Sequence, residues 1–101
     1  MGIATRLNEN GREATILVSG RFDFSQHRNF KSAFEKAPLA VESFVVDLKE
    51  AEYIDSSALG MLLRLRDRVG NQRDRIRIIN ANSNIRNALR IANFDRIFAV
   101  S

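Results

Sequence analysis

Residues 43–48, Ser43-Phe44-Val45-Val46-Asp47-Leu48, form a short apolar run rich in β-branched residues, which suits a central strand covered on both sides. Helix-period segments flank it. Upstream, Phe30, Ala33 and Phe34 recur at helical spacing within residues 26–36 and Ala37 continues the spacing, Arg28, Lys31 and Glu35 take the other faces, and Pro38 stops the helix. Downstream, Leu59, Leu62, Leu63 and Val69 make an apolar stripe from Ser56 to about Val69, with Arg64, Asp67 and Arg68 outside it and Gly70-Asn71 at its end. A buried strand between two amphipathic helices is the working part of a parallel sheet.

The remaining segments extend this pattern. Residues 3–8 and 13–19 read as antiparallel strands around Glu9-Asn10-Gly11-Arg12, where Asn-Gly supplies the positive φ of a tight turn. Lys49-Glu50-Ala51-Glu52 reads as a turn out of the central strand. Arg75-Ile76-Arg77-Ile78 alternates with period two, as a strand near an edge does. Asn82-Ser83-Asn84 offers caps for a helix carrying Ile85, Ala88, Leu89 and Ala92, and residues 97–100 supply a last short strand. The expected fold is α/β: one domain over residues 1–101, a mixed, mostly parallel sheet with an N-terminal hairpin, right-handed crossovers and surrounding helices. A chain of 101 residues buries roughly two thirds of its unfolded surface, so no staple is required.

Composition excludes several chemistries. With no cysteine there is neither disulfide nor thiolate, and His27 is the only imidazole, so no metal site is expected. Asp23, Ser25 and His27 are the residue types of a hydrolase, but their local spacing makes no triad, and neither a G-x-S-x-G elbow nor a P-loop is present. No catalytic residue and no cofactor are expected. No stretch of about 18 apolar residues and no secretory leader is visible, which predicts a cytoplasmic protein without membrane insertion. The net charge of +4 is uneven, because nine arginines against three aspartates fall after residue 55. They are spread over two helices and a strand with few aromatics nearby, so nucleic acid is not the expected partner.

Tyr53-Ile54-Asp55-Ser56-Ser57-Ala58-Leu59-Gly60 puts an acid and two hydroxyls where the chain passes into a helix. One reading is capping of the free N–H groups of the first helical turn. The other is a modification switch: a hydroxyl there is open to a kinase, and an added phosphate meets unpaired N–H groups and the positive end of the helix dipole. The fold tolerates both states, so the charge acts on whatever docks over the turn.

These residues resemble the STAS family, in particular the bacterial anti-sigma factor antagonists. Val18-Ser19-Gly20-Arg21-Phe22-Asp23 is similar to the family's strand ending in Gly-x-Leu-Asp, and Ile54 to Gly60 resembles its Asp-Ser-Ser/Thr-Gly-Leu-Gly. The resemblance covers nearly the whole chain. It implies a protein-binding switch without catalytic activity, with Ser56 as phosphoacceptor and Asp23, Asp55, Ser56, Ser57, Ala58 and Leu59 at the partner surface. The implied partners are an anti-sigma factor or serine kinase of the histidine-kinase-like ATPase type and a PPM-type serine phosphatase. Unmodified protein sequesters the first, and phosphorylation breaks the contact. Ala58 replaces the usual glycine, adding a methyl where a partner approaches; Asn84 stands where proline is frequent; and the chain leaves no room after Ser101 for a further C-terminal helix. The alternative within the family is an unphosphorylated assembly subunit of a transporter or sensory complex.

Overall fold

The computed structural model describes residues 2–101. Five strands lie in the order in which the chain makes them, β1-β2-β3-β4-β5. β1 (Gly2–Leu7) and β2 (Glu13–Phe22) form the antiparallel hairpin, and β3 (Ser43–Ile54), β4 (Ile76–Ile79) and β5 (Ala99–Val100) join in parallel. Between the parallel strands run α1 (His27–Glu35), α2 (Ser56–Arg68) and α3 (Ser83–Ile91). Each strand is added on the same side of the last, and under the right-handed crossover rule that order puts the three helices on one face of the sheet.

The burial pattern agrees. Register aligns Ala14, Phe44 and Ile76 in one row and Ile16, Val46 and Ile78 in the next, and all six are fully buried. They share one core with Phe30 and Phe34 of α1, Met61, Leu62 and Leu65 of α2, and Ile85 and Leu89 of α3. On the far face Val45 is buried, but its row neighbours Thr15 and Arg77 are partly or fully exposed. The central strand is therefore layered with helices on one side only, which corrects the expectation of cover on both.

The hairpin turn lies where expected: Asn8 N–H donates to Glu13 O at 2.9 Å, Gly11 N–H donates to Asn8 O at 3.1 Å, and Gly11 takes the positive φ of 70°. One other expectation changes. Lys49-Glu50-Ala51-Glu52 is not a turn; β3 continues through it to Ile54 beside a β2 that itself runs on to Phe22. The pairing steps from Leu17 with Asp47 to Ser19 with Glu50, so β3 carries one extra residue there, and Asp47 Oδ1 accepts from Lys49 N–H at 3.0 Å inside the bulge. A bulge shifts the side-chain phase by one. Phe44, Val46 and Leu48 face the core before it and Ala51 faces the core after it.

Candidate functional site

The extended strands deliver two carboxylates to one rim. Phe22 pairs with Ile54, so Asp23 and Asp55 leave adjacent strand ends side by side. Both have extended backbones, and each caps the helical turn that begins at the next residue. Asp23 Oδ1 accepts from Ser25 N–H at 3.0 Å and from the Ser25 hydroxyl at 2.5 Å, at the head of a 3-10 turn over Phe24–Gln26. Asp55 Oδ1 accepts from Ala58 N–H at 3.1 Å at the head of α2. Asp55 thus fills the capping role considered for the whole motif. Ser56, the first residue of α2, is exposed, while Ser57 is only partly exposed.

Ala58 and Leu59 face inward to differing degrees. Ala58 is fully buried in the core, which corrects the expectation that its methyl meets a partner: the buried face of α2 is Ala58, Met61, Leu62 and Leu65, and Leu63, read from the sequence as part of the stripe, is 42% exposed. Leu59 is partly buried and packs against the same core. The exposed part of the turn is therefore Ser56, with Asp23, Asp55 and Ser57 partly exposed around it.

Two neighbours escaped the sequence reading. The Arg21 guanidinium lies 4.0 Å from the centroid of the Tyr53 ring, and its Nε is 3.3 Å from Asp23 Oδ2. Arg21 and Tyr53 are register partners, which becomes visible only once both strands are known to extend to the motif. Gln26, the one buried polar residue among those described, donates from Nε2 to Arg21 O at 3.4 Å and ties the 3-10 turn to β2. Phe24 is 69% exposed and stacks on His27 with centroids 5.4 Å apart.

The Ser25 hydroxyl, then its N–H and the Arg21 guanidinium, hold the Asp23 carboxyl below its usual range. A carboxylate whose pKa is depressed by folding stabilises the protein above the unfolded pKa, and that stabilisation is lost as pH falls through the folded one. Asp23→Asn is therefore expected to lose that stabilisation at neutral pH, a small loss because solvent screens the carboxylate. Its urea midpoint should converge further on that of the wild type as pH is lowered from about 5 to about 3; a gap that widens on acidification would contradict the assignment. Asp55→Ala, which strips α2 of its cap, is expected to destabilise by about 1 kcal/mol in the same measurement.

A parallel sheet with an antiparallel first strand, helices on one face and an Asp-Ser-Ser turn at the rim define a STAS-type domain. The family described as "Mlab, STAS domain" matches residues 5–100, and a STAS-domain containing protein of Pseudomonas aeruginosa (strain UCBPP-PA14) is 43% identical over 101 residues, the full length of both chains. The chain belongs to the STAS family. Among solved structures, the anti-sigma factor antagonist SpoIIAA in its unphosphorylated form superimposes with a TM-score of 0.76 at 15% identity, covering 99% of this chain and 87% of the other. A sulfate transporter family protein from Wolinella succinogenes superimposes with a TM-score of 0.71 at 13% identity, covering 90% and 73%. At such identities these two likenesses establish the shared fold.

Proposed function

We propose that this chain is an anti-sigma factor antagonist: a cytoplasmic, non-catalytic binding switch, set by phosphorylation of Ser56, that regulates transcription or a related signalling output. The observation that carries the reading is the division of labour at the turn. Asp55 caps α2, and the next residue, Ser56, presents an exposed hydroxyl on the first helical position beside a second carboxylate, Asp23. An enzyme approaching from solvent reaches that oxygen without unfolding anything. The free N–H groups of the first turn accept the phosphate's charge.

In the unmodified state the turn binds an anti-sigma factor or a serine kinase of the histidine-kinase-like ATPase type. That partner phosphorylates Ser56 and is released, and a PPM-type phosphatase resets the chain. Asp23, Asp55 and Ser57 frame the contact, and Leu59 and Ala58 support it from beneath. A second reading, a STAS assembly subunit of a transporter without phosphorylation, is favoured by the likeness to the sulfate transporter family protein.

The test is affinity capture from source-cell extract with wild-type, Ser56→Ala and Ser56→Asp chains as bait, followed by phosphosite mapping after incubation of the captured protein with ATP. A kinase held by the wild type, lost from Ser56→Asp and modifying Ser56 supports the switch. Phosphate found mainly on Ser57 overturns the choice of residue, and co-purifying transport proteins indifferent to position 56 favour the second reading.

A further inference from the structure

Phe24 exposes a large aromatic ring in a hollow that it shares with Ser57, the neighbour of Ser56. It stands as a ridge between two hollows. One, of about 240 Å³, is lined by Phe24, His27, Ser57, Gly60, Met61 and Arg64; the other, of about 440 Å³, continues past Ser25 to Arg28 and Asn29. The first hollow joins the head of α1 to the exposed flank of α2 and has Ser57, the neighbour of Ser56, in its wall. At Gly60 a Cβ would meet no atom within 4 Å, so the floor of this hollow is open to solvent.

Charge on either side is mostly positive. Arg28 and Lys31 line the α1 side, and Arg64 and Arg68 the α2 side, against Glu35 and Asp67. Arg64, Arg28 and Lys31 form no ion pair among the described residues. Exposed aromatics that insert into a partner's pocket, with unpaired arginines around them, are the side chains that dominate binding energy at protein interfaces.

We propose that Phe24 is the anchor of the partner interface: its ring enters an apolar pocket of a protein whose surrounding surface carries carboxylates that meet Arg28, Lys31 and Arg64. The surface extends the contact over the Ser56 turn onto α1, and the proposal rests on the switch reading in that the same partner covers both. The two hollows receive the walls of that pocket, and Gly60 leaves the space that one wall fills.

The experiment takes the protein captured by the unmodified wild-type chain, purified, and measures its affinity for wild type, Phe24→Ala, Gly60→Leu and Arg64→Glu by calorimetry, with melting temperatures recorded for each. Phe24→Ala is expected to weaken binding by about thirtyfold or more. Gly60→Leu, which fills the hollow at an open helical position, is expected to weaken it about tenfold without lowering the melting temperature. Arg64→Glu is expected to do so about tenfold at low salt, with the loss shrinking as salt is raised. Affinities of Phe24→Ala and Gly60→Leu within twofold of wild type overturn the proposal. If the captured protein binds the wild type and Ser56→Asp equally but loses Phe24→Ala, the surface stands and the phosphorylation switch falls. If Ser56→Asp fails to bind while Phe24→Ala binds normally, the switch stands and this surface falls. A wild-type chain that captures nothing overturns both.

Discussion

Phosphorylation of Ser56 is expected to weaken binding of the partner more than a hundredfold while moving the melting temperature by no more than a few degrees. The asymmetry comes from where the charge goes. On the free chain the phosphate sits at a helix N-terminus, worth about 0.3–1 kcal/mol, and repulsion from Asp55 and Asp23 offsets part of this. In a complex the same group must be stripped of water or leave a gap, and a penalty of about 3 kcal/mol already exceeds a hundredfold in affinity. Ser56→Asp should imitate the phosphate incompletely, having less charge and fewer acceptor oxygens. Ser56→Ala should abolish phosphorylation and Ser57→Ala should leave most of it. Calorimetry and thermal melts on both forms decide the matter: tighter binding by the phosphoprotein, or its unfolding, would sink the idea.

Phe22→Ala is expected to produce the largest loss of stability near the site, about 3–5 kcal/mol. Phe22 is fully buried at the end of β2 with its ring centroid 5.1 Å from that of Phe30, and Phe30 in turn meets Phe34 at 5.8 Å. Truncation leaves a void at the join between β2 and α1, which the close-packed neighbours fill only in part. In a chain of this size each kcal/mol lowers the melting temperature by about 4–8 °C, so a drop of more than about 12 °C is anticipated. The pair Phe22 and Phe24 then separates two roles within three residues. Phe22→Ala is expected to lower the melting temperature and Phe24→Ala to leave it unchanged, and a Phe22→Ala melting temperature within about 3 °C of wild type would contradict the packing account.

The strand and helix order, the two caps and the parallel pairing are legible in the sequence because each leaves a periodic or chemical mark: Asn82 before Ile85, Asp55 before the stripe of α2, the alternation of Arg75 to Ile78. Asn82 Oδ1 does accept from Ile85 N–H at 2.9 Å. The bulge in β3 hides the rest. An extra residue after Asp47 breaks the two-residue alternation, so Lys49, Glu50 and Glu52 look like a polar turn although Ala51 among them is buried in the core. A second shift follows, from Gly20 with Ala51 to Arg21 with Tyr53, so the length of β3 and the juxtaposition of Arg21 with Tyr53 depend on two irregularities. The placement of Ala58 is hidden for a different reason. A small residue in a helix is compatible with either face, and only the packing of α2 against the sheet decides it. The exposure of Phe24 carries no periodic signal, since the cap at Asp23 interrupts both the strand and the helix on either side.

The sequential strand order also governs how the chain can come together. Every parallel strand docks against the one made just before it, so closing the sheet never requires joining segments more than about 30 residues apart, and loop-closure entropy grows only slowly at that length. Asp23 and Ser56 both lie in the first two crossovers, flanking the β2 and β3 pair. A growing polypeptide thus lays down the Asp23 carboxylate and the exposed Ser56 hydroxyl beside each other before β4 and β5 have been synthesised. The later strands widen the sheet away from the rim residues Asp23 and Ser56, so that corner of the molecule is complete while α3 is still to be made.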